Sequence, residues 1–505
     1  MSVSILCIVA SRVLTIFGAV NHSLLFRRPH QGQRNIKLEG AHQARTTMKK
    51  AIRILCYALA VLLLLFVALI QRIDRTPFRE TAHYAAWKEQ ISKADLMGDT
   101  GSIQVSWATQ NITPLTPVPM AGYGNRWGAH FEAVRDSVYV KVIAIKSPET
   151  TLFLVAADML VVPPNLTNRL ASLLSAEGIG IDQVHIGTTH THHSLGGWGK
   201  KLTGRLFSGK FDPEVEERLA MQFRDAIVRS QQDFVEADAF YAQVENEDNI
   251  RFRLDVEGGT IDPWIRSVVF RRTDGKRAKL LTYAAHPTTL RSRLLEISRD
   301  FPGVVVDSLE SQDADIALYM AGAVGSMGAR GEGETPMERM ANIGQNIVKR
   351  YRSSQTEPVP HEGLASAYWK IPLPEPTARI SQNLALRPWV FRTFFGDYPV
   401  FVKVSKIGHI LMLGMPADFS GEIMRELDEY ADSKGIELIL TSFNGGYIGY
   451  ITPDRLYDET LYETVTMSWN GFQAGGYFTQ LAKDIIDLAS DAERAQAPEE
   501  PALPE

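Results

Sequence analysis

One uncharged run near the N-terminus constrains this chain more than any other feature. Residues 54–70 read ILCYALAVLLLLFVALI and include no charged side chain. About 17 to 20 apolar residues in a helix span the hydrocarbon core of a bilayer, and this run is apolar on every face. It therefore predicts a membrane span and not the core helix of a soluble domain. Lys49, Lys50 and Arg53 precede the run, which places the N-terminus inside and the rest of the chain outside.

The junction after this run decides between a retained anchor and a cleaved leader. A signal peptide has a shorter apolar run followed by small residues at its cleavage site. Here the run leads into Gln71 and Arg72, which favours an uncleaved signal-anchor over residues 48–72. Because Met48 followed by two lysines is a typical start for such an anchor, we hypothesise that residues 1–47 are a leader that is not translated. The expected location is the inner (plasma) membrane, single-pass, with the body periplasmic or extracellular.

The composition of the chain excludes several classes of site and partner. It is 45% hydrophobic and 22% charged, as in globular proteins, and its net charge of -5 offers no basic face for nucleic acid. Cys7 and Cys56 are the two cysteines, so neither a disulfide framework nor a Cys-ligated zinc can form after residue 56. We expect membrane attachment through the N-terminal helix, and we infer no nucleic-acid partner and no obligate protein partner.

The rest of the chain divides into three predicted segments. Residues 73–101 are predicted to form a polar, partly helical stalk. Strand-like runs alternate with helical patterns over residues 102–490, which predicts an α/β catalytic domain with mixed β-sheets flanked by helices. Residues 491–505 are rich in Pro, Glu and Ala and predict a disordered tail.

Five strand-like runs each lead into residues that can bind a metal or transfer a proton. The run 184–186 leads into His190 and His192, 280–285 into His286, 316–320 into 322–326, 410–413 into Asp418, and 439–441 into 444–450. Ligands bind beyond the carboxyl ends of strands in open α/β sheets. The five endings together therefore predict a single site.

The tripeptide His190-Thr191-His192 carries the most specific chemistry. In an extended segment, residues two apart point to the same face, so both imidazoles can reach one centre. Such a pair is a frequent way to present neutral imidazole to zinc. Taken alone, the tripeptide is better explained by two hydrogen-bonded loop histidines. With His286 and Asp418 at other strand ends, the metal interpretation is favoured.

Two histidines and one carboxylate match a catalytic zinc site, which keeps one position for water. Zinc lowers the pKa of its bound water to about 7. His192 is then placed to carry a proton to the leaving group, because histidine titrates in the useful range. The sequence around Ser326, GAVGSMG, is not a G-x-S-x-G elbow, which argues against a serine hydrolase.

These residues resemble the N-terminal catalytic domain of the neutral/alkaline, non-lysosomal ceramidases. The resemblance runs, with gaps, from about Met120 to about Tyr462. The matching motifs are MAGYG at 120–124, ADM at 157–159, THTH at 189–192 with GG at 196–197, IR at 250–251, DP at 262–263, HP at 286–287, PADF at 416–419 and YIGYIT at 447–452. The THTH element with its trailing glycines is the most specific of them.

The resemblance implies a ceramidase-like α/β domain that uses Zn²⁺-activated water to cleave an N-acyl amide, as in ceramide and other sphingolipids. Matched motif by motif, it makes the metal ligands His190, His286, Asp418 and Tyr450. It makes the catalytic residues His192, Arg251 and Tyr450, with His192 as acid–base, Arg251 toward the substrate or oxyanion, and Tyr450 as a further ligand or oxyanion donor.

Two departures from the family pattern keep alternatives open. The family has Glu in a P-G-E-F element where this chain has Asp418, and Glu422 one turn later is the alternative ligand. The family's G-D-V-S-P-N element reads GSMGAR at 325–330, so the family serine aligns with Gly328 at the substrate end of the pocket. The alternatives are a zinc esterase or amidase with a different, soluble substrate, and an envelope protein that has lost catalysis.

Overall fold

The computed structural model describes residues 32–99, 101–359 and 363–496, and within them the chain forms two units divided between Ala68 and Leu69. Most of the predicted untranslated leader, residues 1–31, lies outside the described residues, as do positions 497–505 of the predicted tail. The first unit consists of helix α1 (Gly32–Leu69) up to Ala68. The stretch Arg45–Leu69 of helix α1 is, among the described residues, the one helical segment long and apolar enough to cross a membrane.

The second unit is built from strands and helices in alternation. Its helices are α2 (Ala82–Ile91), α3 (Pro164–Ala176), α4 (Leu202–Ser208), α5 (Pro213–Arg229), α6 (Asp300–Gln312), α7 (Pro336–Tyr351), α8 (Pro388–Phe395), α9 (Gly421–Asp432) and α10 (Ala474–Gln496). Its strands are β1 (Ile70–Arg72), β2 (Ile103–Asn111), β3 (Ala133–Val134), β4 (Tyr139–Lys146), β5 (Thr151–Ala157), β6 (Val184–Thr188), β7 (Val235–Glu245), β8 (Ile250–Phe252), β9 (Trp264–Arg272), β10 (Arg277–Tyr283), β11 (Glu296–Ile297), β12 (Ile316–Ala321), β13 (Met327–Ala329), β14 (Thr356–Pro358), β15 (Leu364–Lys370), β16 (Leu384–Leu386), β17 (Phe401–Ile407), β18 (Ile410–Met415), β19 (Asp418–Phe419), β20 (Glu437–Ser442) and β21 (Tyr450–Ile451).

Two mixed sheets form the frame of this unit, which confirms the predicted fold class. The larger has nine strands in the order β12-β10-β9-β7-β2-β4-β5-β6, with β14 paired to β7. The smaller has the order β15-β17-β18-β20. Strands β10 and β12, β5 and β6, and β18 and β20 run parallel. The five runs predicted from sequence are strands β6, β10, β12, β18 and β20.

A hydrophobic core lies between the two sheets. It includes Leu280 and Met320 from the larger sheet and Met412 and Ile439 from the smaller, all buried. Strand β20 lies next to β6, β10 and β12 across this core. Since burying an aliphatic side chain contributes about 1.5–3 kcal/mol, this packing fixes the strands that carry the predicted site residues.

Helices cover the outer faces of the sheets. Helix α5 packs on β2 and β4, α6 packs on β12, and α9 packs on β20. Helix α2, in the segment predicted as a stalk, packs against α10. Its Trp87 is fully buried there, and the indole N–H donates to Asp484 Oδ2 at 3.0 Å.

Candidate metal centre and its pocket

The predicted site residues follow the ends of strands from both sheets. His190 and His192 follow β6, and His286 follows β10. Asp418 opens β19, which runs parallel to β21 with Asp418 opposite Tyr450. All five residues line one pocket. Four of the five strand ends predicted from sequence therefore supply residues to this pocket, whereas residues 322–326 after β12 do not line it.

Three imidazoles meet at the base of this pocket. The His286 Nε2 atom lies 3.1 Å from Nε2 of His190 and 3.1 Å from Nε2 of His192, and the last two are 3.4 Å apart. Asp418 Oδ1 lies 3.6 Å from His190 Nε2. Such a group can hold a metal ion.

His190 reaches this centre from a conformation that differs from the extended segment predicted for it. Strand β6 ends at Thr188, and His190 has a φ of 58°, in the left-handed region. The ring stacks on Phe443 at 3.9 Å with an interplanar angle of 8°, and Phe443 has a φ of 65°. Such conformations cost about 1–3 kcal/mol each and persist where surrounding contacts impose them. A left-handed turn, not strand alternation, brings His190 and His192 to one point.

Backbone carbonyls fix the tautomers of two of the imidazoles. His190 Nδ1 lies 2.7 Å from the Leu160 carbonyl, and His286 Nδ1 lies 3.4 Å from the Val324 carbonyl. A carbonyl only accepts, so each Nδ1 carries the proton and each Nε2 presents a lone pair. Two lone pairs that face each other at 3.1 Å repel unless a cation lies between them. The donor set therefore fits a bound metal.

The protonation of the cluster suits metal binding as well. Burial lowers the pKa of His190 to about 3, and it lowers the pKa values of His192 and His286 well below the usual value for histidine. All three imidazoles are therefore neutral at pH 7, the form that ligates metals.

The carboxylate of Asp418 is buried and only half satisfied. Its Oδ2 accepts a hydrogen bond from the Tyr447 hydroxyl at 2.7 Å. Its Oδ1 has no hydrogen-bond partner among the described residues. Burial raises the pKa of Asp418 to about 7 against the opposing effects of Tyr447 and Arg253. A cation beside Oδ1 would complete its coordination and hold it ionised.

Glu422, the alternative carboxylate, is oriented elsewhere. It lies in the first turn of α9, does not line the pocket and forms an ion pair with Arg455. The shorter side chain of Asp418 reaches the imidazoles because β19 carries it directly to them.

The structure brings Arg253 to the pocket and leaves Arg251 out. Arg251 lies in β8 opposite Gly328, is exposed and does not line the pocket. Arg253 donates to the Tyr450 hydroxyl at 3.0 Å and to the Gly325 carbonyl at 2.9 Å, and it pairs with Glu463 at 2.9 Å. Strand β8 ends at Phe252, so the alternation that points 251 outward does not extend to 253. The only sequence signal for Arg253 is its position two residues after the matched arginine.

Aromatic side chains line the pocket between the imidazoles and helix α8. The pocket has a volume of about 780 Å³. Tyr447, beside Asp418, contacts Trp469 with ring centroids 5.8 Å apart, and Trp469 contacts Phe391 at 5.5 Å and Phe395 at 4.7 Å. Phe207 of α4 joins the same cluster. An extended apolar group can therefore lie along this wall with its polar end at the imidazoles.

Comparison with known proteins places this arrangement in a known fold. Neither protein-family models nor curated proteins match the sequence. The neutral ceramidase from Pseudomonas aeruginosa superimposes with a TM-score of 0.64 at 18% identity, over 82% of this chain and 77% of that one. A ceramidase complexed with C2 superimposes with a TM-score of 0.67 at 17% identity, over 81% of this chain and 77% of that one.

The chain has the neutral-ceramidase fold. The structural comparison therefore confirms the fold that the short sequence motifs implied.

Proposed function

We propose that this protein is a zinc-dependent amidohydrolase of the neutral ceramidase type, which cleaves the N-acyl amide of a ceramide-like lipid. The observation that carries the proposal is the meeting of two imidazole lone pairs, from His190 and His286, with the unpartnered oxygen of Asp418 at the base of an apolar pocket. The neutral-ceramidase fold supports the choice of an amide.

We assign the metal to His190, His286, Asp418 and Tyr450. When bound there, zinc supplies a water molecule acidified to a pKa of about 7. The two histidines are held by carbonyls at Nδ1, as ligating histidines usually are. The phenol of Tyr450 lies opposite Asp418 in the β19–β21 pair and completes the set.

His192 suits acid–base work better than ligation. Its Nδ1 is buried without a hydrogen-bond partner among the described residues, so nothing fixes its tautomer as Leu160 fixes that of His190. An imidazole that can carry its proton on either nitrogen can take a proton at one step and donate it at the next. The substrate nitrogen, as it leaves, is the acceptor of that proton.

Arg253 and Tyr450 are the groups placed to stabilise negative charge on the substrate oxygen. The guanidinium is always protonated and donates to the Tyr450 hydroxyl, which polarises the phenol. Preorganised donors of this kind are often the largest contribution to catalysis in acyl transfer.

The aromatic wall of the pocket supports a long acyl chain over a small soluble amide. Phe207, Phe391, Phe395 and Trp469 offer a surface that a hydrocarbon chain can cover. The apolar stretch Arg45–Leu69 would hold the enzyme at its substrate, as a single span of the plasma membrane with the body outside.

Replacing His192 with glutamine is expected to lower kcat by roughly a hundredfold or more while zinc content stays at one ion per chain. Glutamine keeps the size of the side chain and removes the titratable nitrogen. Metal analysis and steady-state kinetics on the same preparation check both parts. Loss of zinc in this variant would instead make His192 a ligand.

The proposal as a whole is tested on the full chain in detergent micelles with an N-acyl panel and matched esters. We expect one zinc per chain and amide cleavage that a chelator stops and added zinc restores. Bound zinc with ester cleavage alone would replace the amidase by an esterase. A protein that takes up no zinc would contradict the proposal and favour the non-catalytic alternative.

A further inference from the structure

Two short helices at the pocket carry an exposed apolar patch. Leu202 and Leu206 of α4 are 52% and 37% exposed, and Trp389 and Phe394 of α8 are 54% and 40% exposed. The helices lie side by side, and Thr203 Oγ1 donates to the Phe394 carbonyl at 3.0 Å. We call these four apolar side chains the mouth patch. Clustered apolar exposure of this kind marks an interaction surface.

The opposite sides of the same two helices form part of the pocket wall. Phe207 of α4 and Phe391 and Phe395 of α8 line the pocket, whereas Trp389 and Phe394 do not. Whatever covers the mouth patch therefore lies on the outer side of this part of the pocket wall.

The connection from the apolar stretch to strand β1 indicates what the mouth patch faces. Strand β1 follows Leu69 directly and pairs antiparallel with β16, the strand just before α8. The N–H of Arg387, the N-cap residue of α8, donates to the carbonyl of Leu69 at 2.8 Å. Leu69 is the last residue of the stretch that is apolar enough to span a membrane. The last residue of the apolar stretch is therefore hydrogen-bonded to the start of α8.

The side chains of the two helices match an interfacial position. Tryptophan concentrates at the membrane–water interface, and Trp389 is the second residue of α8. Lys201 and Arg205 are exposed on and next to α4, and neither forms an ion pair with a described carboxylate. Cations flanking an apolar face attract anionic headgroups.

We propose that the mouth patch inserts into the phospholipid bilayer, so that the pocket opens toward the lipid. The insertion stands on the contacts above, and the entry of a lipid amide from the bilayer rests in addition on the proposed function. The partner is the leaflet on which the body lies, not a second protein.

Site-directed spin labelling of the full chain in phosphatidylcholine–phosphatidylglycerol nanodiscs tests the insertion. With Cys7 and Cys56 replaced by serine, single cysteines are placed at Trp389→Cys and Phe394→Cys. The control variants are Met97→Cys and Met221→Cys, which replace exposed apolar residues outside the patch, 51% and 43% exposed. We expect the two patch labels to be relaxed more by oxygen than by a water-soluble nickel chelate, and the control labels to show the reverse.

Patch labels with the same accessibilities as the controls would overturn the proposal. A spin label at Leu202→Cys, on helix α4, provides a second accessibility measurement within the mouth patch if a change in α8 reduces the yield of folded protein. This measurement needs no turnover, so it stands even if no amide is cleaved.

A kinetic arm separates insertion from the proposed activity. Trp389→Ser with Phe394→Ser should lower hydrolysis of a bilayer-embedded amide at least tenfold and leave hydrolysis of a short-chain amide in water unchanged. Equal losses on both substrates would refute entry from the bilayer, and no hydrolysis by the parent protein would refute only the proposed function.

Discussion

Replacing His286 with alanine is expected to reduce bound zinc from one ion per chain to a trace and to abolish amide hydrolysis. The Nε2 atom of His286 is the point where the other two imidazoles meet, 3.1 Å from each. Its removal would leave His190 and Asp418 without the second proposed imidazole ligand. Changes to partners outside the ligand shell alone cost about 10- to 100-fold in metal affinity or activity, so loss of a ligand should exceed that range. Metal analysis after dialysis gives the direct measurement.

The zinc content of matched variants distinguishes a metal ligand from a residue that does not bind the metal. His130→Ala removes an exposed histidine outside the pocket and should keep full zinc. Asp418→Asn should lose zinc as His286→Ala does, while Glu422→Gln, one turn of helix away, should keep it. Full zinc content in His286→Ala would refute the assignment of the centre. Loss in Glu422→Gln alone would move the carboxylate ligand to that residue.

Replacing Arg253 with alanine is expected to lower kcat by about a hundred- to a thousandfold, which corresponds to about 3–4 kcal/mol of transition-state stabilisation. The guanidinium donates to the Tyr450 hydroxyl inside the pocket, and the Arg253 side chain is only 21% exposed. Arg251→Ala removes the same charge from an exposed strand position and should change kcat less than twofold. Steady-state kinetics with zinc content measured in parallel gives the comparison.

Structural loss must be distinguished from catalytic loss in the Arg253 variant. Arg253 also pairs with Glu463, whose side chain is 10% exposed, and a buried carboxylate without its partner destabilises the fold. The double variant Arg253→Ala with Glu463→Gln removes this penalty and should recover folding but not kcat. A greater loss for Arg251→Ala than for Arg253→Ala would restore the arginine assigned by motif.

The frame of the site could be predicted from sequence because uninterrupted apolar runs identify buried strands. Strands β6, β10, β18 and β20 each lead into residues that line one pocket, and the position of these residues after strand ends was predictable. That prediction needed no knowledge of which strands pair.

The details of the site depend on contacts that no local pattern contains. The left-handed turn at His190 is accompanied by the stacking of its ring on Phe443, which lies far away in sequence. The position of Arg253 in the pocket, with Arg251 outside it, follows from where β8 ends and from the Gly325 carbonyl that accepts from the guanidinium. Motif matching compares residues by their order in the sequence. The conformation of His190 and the position of Arg253 depend instead on contacts with residues that are distant in sequence.

The stack of His190 on Phe443 also has a consequence for how such a protein can lose its chemistry over time. Both residues have a positive φ and their rings stack on each other, and such strained conformations persist where surrounding contacts impose them. A lineage that exchanged Phe443 for a small residue would keep every proposed metal ligand in its sequence and lose the ring on which His190 stacks. The set of proposed ligands alone would therefore be an insufficient signature of the proposed activity, and the aromatic partner belongs in the signature too.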